Sequence, residues 1–588
     1  MKFNWHYLAL TGVIFLGAGL RFWHLDAKPL WTDEVITALF SFGRSYTDIP
    51  LDKITSIMFL DQVFTLRSGV TCPQIAQTVA IESNHPPLFF CLMYRWLSWA
   101  QPTLTNWIWQ LRALPALMGV GAIAAIYQLN RVAFSQKAGL MGAALMAVSP
   151  FAVYLSQEAR HYTLPMLLVT LALLGLIQLQ QDLHDQRPLR PLVGLGWVAM
   201  NSVGFYVHYF FLLAFIAQVL ALATYIALQR QYMLWRQVGA VGMAIAAVGL
   251  SYLPWVTTLI DHMGRGSDWL TPFNPTWVDQ IAPLYHLPIG WILMVIALPV
   301  ENYPTWIEVL SGTVMFLFAV WLGWHFARGM RWLWQTSKTH AATLVMVAFT
   351  IYVLLEFLGI VYILDKDITK VFRYNFVYYP AIAALIAASL TRLSHRQNAP
   401  SNPAPPDQTA PVFNLFKSAR CIQASVLVVG LLSSILVVSD FVFQKPYYPQ
   451  RVAAQMNFEP TTPLAVIGGY KPLAEAAISL SFVLEIRRHS PERVQLPNTV
   501  QYGFFPRHQP GGYGQVWQQL AQIQPIPNQP LNLWIVGPGL RRREFPNQLS
   551  IAKSSHAASP GTLCDRVPEH YYRLGIPYQL YRCETESA

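Results

Sequence analysis

Five short stretches of the chain gather residue types that can move protons or hold phosphate. The first, PLWTDEVIT, places two adjacent carboxylates, Asp33 and Glu34, a few residues after a greasy N-terminal segment. A carboxylate in a partly desolvated cleft can serve as a general base. In the second, SNHPPLFF, His85 precedes two prolines, which fix an extended chain and let a helix start behind it. The third, SQEARHY, holds Glu158, Arg160, His161 and Tyr162, a denser polar group than membrane anchoring needs. The fourth, VHYFF, offers His208 and Tyr209, for which anchoring in an interfacial aromatic belt is the favoured account. The fifth, KVFRYNF, offers Lys370, Arg373 and Tyr374. A planar guanidinium can grip a phosphate with two parallel bonds, and a nearby ammonium adds point charge. A base and several cations beside apolar surface suit a lipid-phosphate substrate.

The elements that must position these groups are membrane helices. The 588 residues are 54% hydrophobic and only 12% charged, about half the charge of an ordinary soluble chain. Apolar runs long enough to cross a bilayer fall near 6–23, 109–130, 138–156, 162–181, 191–207, 209–228, 237–258, 305–326, 341–363, 376–392 and 421–441. This predicts a polytopic α-helical membrane protein of about eleven spans. The first run lacks a small-residue cleavage site behind it and reads as a retained helix. Two shorter runs, 87–100 and 288–299, read as interfacial rather than spanning. The formal charge of +11 sits in short loops between apolar runs, which fits the positive-inside rule and not nucleic-acid binding. With these spans the basic loops share the cytoplasmic side. The five polar stretches then collect on the opposite face.

The predicted organisation has four parts: a membrane domain over 1–392, with a long outer loop 24–108 and an interfacial helix near 87–100; a Pro-rich cytoplasmic linker over 393–420; a last span at 421–441; and an exported α/β domain over 442–588. In that domain PLAVIGG and LNLWIVG read as buried strands, and PLAEAAISLSFVLEIRR as a helix. A Cys564–Cys583 disulfide is plausible if the domain is exported. Pairing of Cys72 with Cys91 is the less favoured alternative. No Ser–His–Asp arrangement, Walker loop or zinc-ligand spacing is apparent.

PLWTDE, NHPPLFF, SQEARHYTL and FRYNF, in this order and on one face, resemble the GT-C glycosyltransferases. The similarity runs over roughly residues 1–392 and is nearest to the protein O-mannosyltransferase and lipid A aminoarabinose transferase group. The resemblance implies an inverting membrane glycosyltransferase, hexosyl or pentosyl, that takes its sugar from a polyprenyl-phosphate donor. The acceptor would be a hydroxyl on a protein, glycolipid or polysaccharide, outside the cytoplasm at the inner membrane of a bacterium. By position, Asp33 matches the first-loop acid that acts as base or orients the acceptor, and Glu34 is its neighbour and substitute. His85 matches the residue before the Pro-Pro pair, near the donor phosphate, and Arg373 a phosphate ligand. Glu158 and Arg160 stand where many relatives place an Asp, a departure that bears on metal use. A divalent cation is the one cofactor the resemblance leaves room for.

A transporter or lipid flippase without chemistry is the competing reading. It would place charge at mid-helix depth, and Glu356 within the 341–363 run is the main such feature.

Overall fold

The computed structural model describes residues 5–265, 270–271, 276–397, 419–489, 499–507, 512–522, 530–551 and 562–583. The chain forms two compact units. One comprises 1–25, 79–89 and 112–444; the other comprises 26–78, 90–111 and 445–588.

The first unit is helical. Its helices are α1 (Trp5–Phe22), most of α6 (Trp107–Ala133), α7 (Gln136–Ala147), α8 (Pro150–Ser156), α9 (Thr163–His184), α10 (Pro191–Phe205) and α11 (Phe211–Leu228). They continue with α12 (Trp235–Tyr252), α13 (Val256–Met263), α14 (Trp277–Leu293), α15 (Thr305–Gln335), α16 (Ser337–Leu364), α17 (Tyr379–Gln397) and α18 (Ala419–Val438). Among the described residues, seven helices are long and apolar enough to cross a membrane, with α12 and α13 counted as one. An eighth results if α7 and α8, bent by 59°, form one broken span. Helices also occupy the other three expected positions, as α1, α10 and α17. The expected count of about eleven is therefore not reached by length and composition.

Local chemistry explains the bend. Pro150 cannot continue the hydrogen-bond ladder of α7, so it opens a new helix instead, with Ser149 capping the Ala152 N–H. The carbonyls left open at the end of α7 find a partner in Arg21, which is fully buried. It donates to Met146 O at 2.9 Å and Ala147 O at 3.1 Å. Small residues let helices approach closely: a Cβ at Gly329 on α15 would lie 2.6 Å from the Ser389 carbonyl oxygen on α17. The 87–100 run forms only the 13-residue helix α5 (Leu88–Ala100). The 288–299 run straddles the end of α14, which carries Pro283 and Pro288.

The second unit is built on a seven-stranded sheet of order β1-β3-β2-β4-β7-β6-β5. The strands are β1 (Ile54–Ser56), β2 (Leu464–Tyr470), β3 (Val500–Pro506), β4 (Leu531–Val536), β5 (Gln548–Ile551), β6 (Thr562–Leu574) and β7 (Ile576–Cys583). Strands β3, β2 and β4 are parallel and buried along almost their whole length, as a sheet covered on both faces requires. Connections run through α20 (Ala476–His489) and α21 (Gly514–Gln522). The two expected strands and the expected helix are all present.

The division into units departs from the sequence-based one. Most of the first loop folds with the C-terminal sheet rather than with the membrane helices. Strand β1 pairs antiparallel with β3, Ile54 opposite Gly503. Asp61 forms an ion pair with Arg487, and Arg488 donates to the Asp26 carbonyl at 2.8 Å. Backbone pairing of three residues leaves almost no hydrophobic pattern in a sequence.

Two disulfides close within this unit. Cys564 and Cys583 face each other across β6 and β7 and are bonded. Cys72 and Cys91 are also bonded, which corrects the less favoured status of that pair. Helices α4 (Cys72–Glu82) and α5 bring them together, a tertiary fact with no local signature. The linker expected over 393–420 lies mostly outside the described residues.

Candidate active site

Four connecting segments of the helical unit bring the candidate residues together. His85 lies between α4 and α5. Arg160, His161 and Tyr162 form the turn from α8 to α9, tightened by an Arg160 N–H to Glu158 O bond of 2.7 Å. His208 lies in the turn from α10 to α11. That turn is sharp because Gly204 has no side chain; a Cβ there would sit 2.4 Å from the Phe211 ring. Arg373 lies on the short 3-10 helix Phe372–Val377.

Three imidazoles meet in this place. The ring centroid of His161 is 4.5 Å from that of His85 and 4.7 Å from that of His208. Two guanidiniums border them. Arg160 Nη2 lies 3.3 Å from His85 Nε2. An arginine nitrogen can only donate, so His85 Nε2 is the acceptor and that ring is neutral. Arg373 Nε donates to Tyr162 Oη at 3.0 Å. Both guanidiniums lie 5.7 Å from the Tyr162 ring centre, within cation–π range. Tyr162 thus sits beside both cations.

The imidazoles carry unused hydrogen-bonding capacity. His161 is 1% exposed and His208 5%. His208 Nδ1 accepts from the Phe210 N–H at 3.0 Å, so its proton is on Nε2. Among the described residues, that Nε2 and both ring nitrogens of His161 have no partner. Leaving a buried polar group unsatisfied costs about 1–3 kcal/mol, a cost that a ligand can offset. Burial pushes all three imidazoles well below the usual histidine range, and the positive charge of Arg160 and Arg373 adds to the effect. The result is a cluster of neutral imidazoles bordered by two guanidiniums, suited to a phosphate group. Among the described residues no group of three or more His, Cys, Asp or Glu side chains could hold a metal ion.

The remaining candidates take other places. His208 is buried in the cluster, which corrects its reading as an interfacial anchor; sequence alone does not show which rings a turn residue will face. Tyr209 points elsewhere and bonds His262 Nδ1 at 2.6 Å. Tyr374 packs its ring 4.5 Å from Phe210 and 6.1 Å from His208. Glu158 is buried in the α8–α9 turn. Lys370 is in a different cluster: its Nζ lies 3.5 Å from Asp367 Oδ2, near His286.

Asp33 and Glu34 belong to the other unit. They occupy the first turn of α2 (Thr32–Ser41), where the helix dipole favours negative charge. Glu34 is 1% exposed, whereas Asp33 is partly open. The backbone N–H of the neighbouring Thr32 donates to Tyr447 Oη at 2.5 Å, and Lys445 Nζ lies 4.2 Å above the Trp31 ring. Sequence reasoning missed Tyr447 and Lys445, which lie far along the chain, and also His262.

Residues 84–255 match the family model described as dolichyl-phosphate-mannose-protein mannosyltransferase. That stretch contains His85, the 156–162 turn and His208. No curated protein matches the chain. Among solved structures, the chain is similar to ArnT from Cupriavidus metallidurans bound to undecaprenyl phosphate. The TM-score is 0.52 at 12% identity, covering 99% of this chain and 98% of that one. The apo state of the same ArnT gives a TM-score of 0.52 at 14% identity, with 98% of each chain covered. The fold is therefore ArnT-like.

Proposed function

We propose that this integral membrane protein of GT-C fold transfers a sugar from a polyprenyl-phosphate donor to an acceptor hydroxyl, with inversion at the anomeric carbon. The observation that carries the reading is the buried set of neutral imidazoles between Arg160 and Arg373. In the reaction the acceptor oxygen forms a bond to the anomeric carbon as the bond from that carbon to the phosphate oxygen breaks. The electron pair leaves on the phosphate, which gains one negative charge. Arg160, Arg373 and the His161 and His208 N–H groups would stabilise that charge. Phosphate is already a good leaving group, so no strong general acid is needed. The acceptor proton goes to a carboxylate, which we assign to Asp33 because it is partly exposed in the first turn of α2 while Glu34 is buried.

The sugar is a hexosyl or pentosyl unit, and a protein, a glycolipid or a polysaccharide can supply the hydroxyl. We place the reaction on the non-cytoplasmic face of a bacterial inner membrane. The two disulfides support this, since such bonds persist in oxidising compartments, as does the charge pattern of the short loops. Because the cations that meet the phosphate are guanidiniums, transfer is expected to survive chelation of divalent metals.

Replacement of Asp33 tests the assignment. Asp33→Asn is expected to abolish transfer while leaving the affinity for polyprenyl phosphate unchanged. Full transfer by that variant would remove Asp33 from the mechanism.

One observation favours transport as a second reading. Glu356 lies within α16, and among the described residues neither of its carboxylate oxygens has a partner. Ionisable groups at that depth often mark a transport path. Flipping of a fluorescent lipid by the wild-type protein that is lost in Glu356→Gln, with no sugar transfer by either, would favour it.

A further inference from the structure

His85 reaches the cluster from a segment pinned at both of its ends. On the far side, the Leu88 N–H donates to the Tyr206 carbonyl at 3.0 Å. On the near side lies the C-terminus of α4. The last carbonyls of any helix lack intrahelical partners and attract cations through the helix dipole. Here the Ser83 N–H takes the Val79 carbonyl at 3.0 Å. The next two carbonyls are met by side chains from the end of α13 and the residues after it. His262 Nε2 lies 2.9 Å from Ala80 O. Arg265 Nη1 lies 3.2 Å from Ala80 O and 2.9 Å from Ile81 O. The Arg265 carbonyl in turn accepts from Asn84 Nδ2 at 3.2 Å, one residue before His85.

The clasp is itself braced. Because His262 Nε2 donates to a carbonyl, its Nδ1 is the acceptor for the Tyr209 hydroxyl at 2.6 Å. Tyr209 Oη in turn accepts from Trp255 Nε1 at 3.2 Å. Donor and acceptor directions agree along the whole chain. His262 is 4% exposed and so is locked by packing, whereas Arg265 is exposed and also pairs with Asp261. The 208–210 turn therefore has two tasks: His208 lines the cluster, and the next residue braces the arm that carries His85.

We propose that His262 and Arg265 are positioning residues: by capping the carbonyl end of α4 they hold His85 in place against the donor phosphate. The proposal rests on the phosphate reading of the cluster given above. A purely structural role would cost stability whatever residue stands at 85. A positioning role acts through His85 alone, and the two make different predictions in a double-mutant cycle.

The test measures binding of undecaprenyl phosphate to purified full-length protein in nanodiscs. Arg265→Ala and His262→Gln are each expected to weaken binding by roughly tenfold, while Arg265→Lys, which keeps a cation at the helix end, retains most of the affinity. In a His85→Ala background neither substitution is expected to weaken binding further. Undiminished affinity in Arg265→Ala, or losses that add to that of His85→Ala, would overturn the proposal. If His85→Ala itself leaves binding intact, the phosphate reading fails instead. Amide hydrogen exchange over 82–88 then judges the clasp independently. Faster exchange in Arg265→Ala supports it, and unchanged exchange overturns it.

Discussion

Arg160 Nη2 lies 3.3 Å from His85 Nε2, a contact that forces the imidazole to accept and therefore to be neutral. A guanidinium that donates to a neutral histidine can donate instead to a stronger acceptor. A phosphate oxygen arriving between Arg160 and Arg373 is such an acceptor, and its arrival leaves His85 free to bond elsewhere. The cluster is thus arranged for an anion.

Removal of Arg373 should show this directly. Arg373→Ala is expected to weaken binding of undecaprenyl phosphate by roughly ten- to a hundredfold, the range for one charge-assisted hydrogen bond. Arg373→Lys should recover only part of it, because an ammonium lacks the planar fork. Equal affinity in wild type and Arg373→Ala, measured by tryptophan fluorescence or native mass spectrometry, would take Arg373 out of the site.

Acid should destabilise the protein through the same cluster. His161 and His208 have values well below the usual imidazole range, so the folded state refuses protons that the unfolded chain accepts below about pH 6.5. Stability from this source is fully present above that pH and is lost as pH falls below it, by about 1.4 kcal/mol per pH unit for each imidazole. Thermal unfolding between pH 8 and pH 5 measures the slope, and His161→Gln should flatten it. An unchanged slope in the variant would show that His161 titrates normally.

The cysteines give a check on the unit that carries the first loop. With Cys72 bonded to Cys91 and Cys564 to Cys583, only Cys421 is a free thiol. Unfolding in a thiol-alkylating reagent should add one label before reduction and five after it, counted by intact mass. Three labels before reduction would mean that one bridge is missing. Paired Ser substitutions at 72 and 91 should cost about 3 kcal/mol, the scale for a loop of this size.

Much of this was legible in the sequence, and the rest was hidden for identifiable reasons. Long apolar runs give helices at every expected span position, because a membrane leaves the backbone no other way to satisfy itself. Buried strands such as 464–470 announce themselves by continuous apolar residues. His85, Arg160, His161 and Arg373 stand out because polar groups at helix ends are few and conspicuous. For His208 the sequence leaves two readings open, because an aromatic-belt residue and a cluster residue look alike until the tertiary neighbours are known. Proximity in sequence groups Lys370 with Arg373, yet Lys370 pairs with Asp367. Strand β1 and the Cys72–Cys91 bridge depend on contacts with no local pattern. The clasp by His262 and Arg265 was invisible for the same reason, since it acts on backbone carbonyls far away in the chain.

The central claim is that a polyprenyl-phosphate sugar is the donor. The direct measurement incubates the purified protein in nanodiscs with a panel of radiolabelled polyprenyl-phosphate sugars and follows the label and the free polyprenyl phosphate together. The account predicts that at least one donor loses its sugar to an acceptor hydroxyl, with polyprenyl phosphate formed in equal amount and both products lost in the Asp33→Asn protein. Intact donor throughout, with labelled lipid merely changing leaflet, would contradict it.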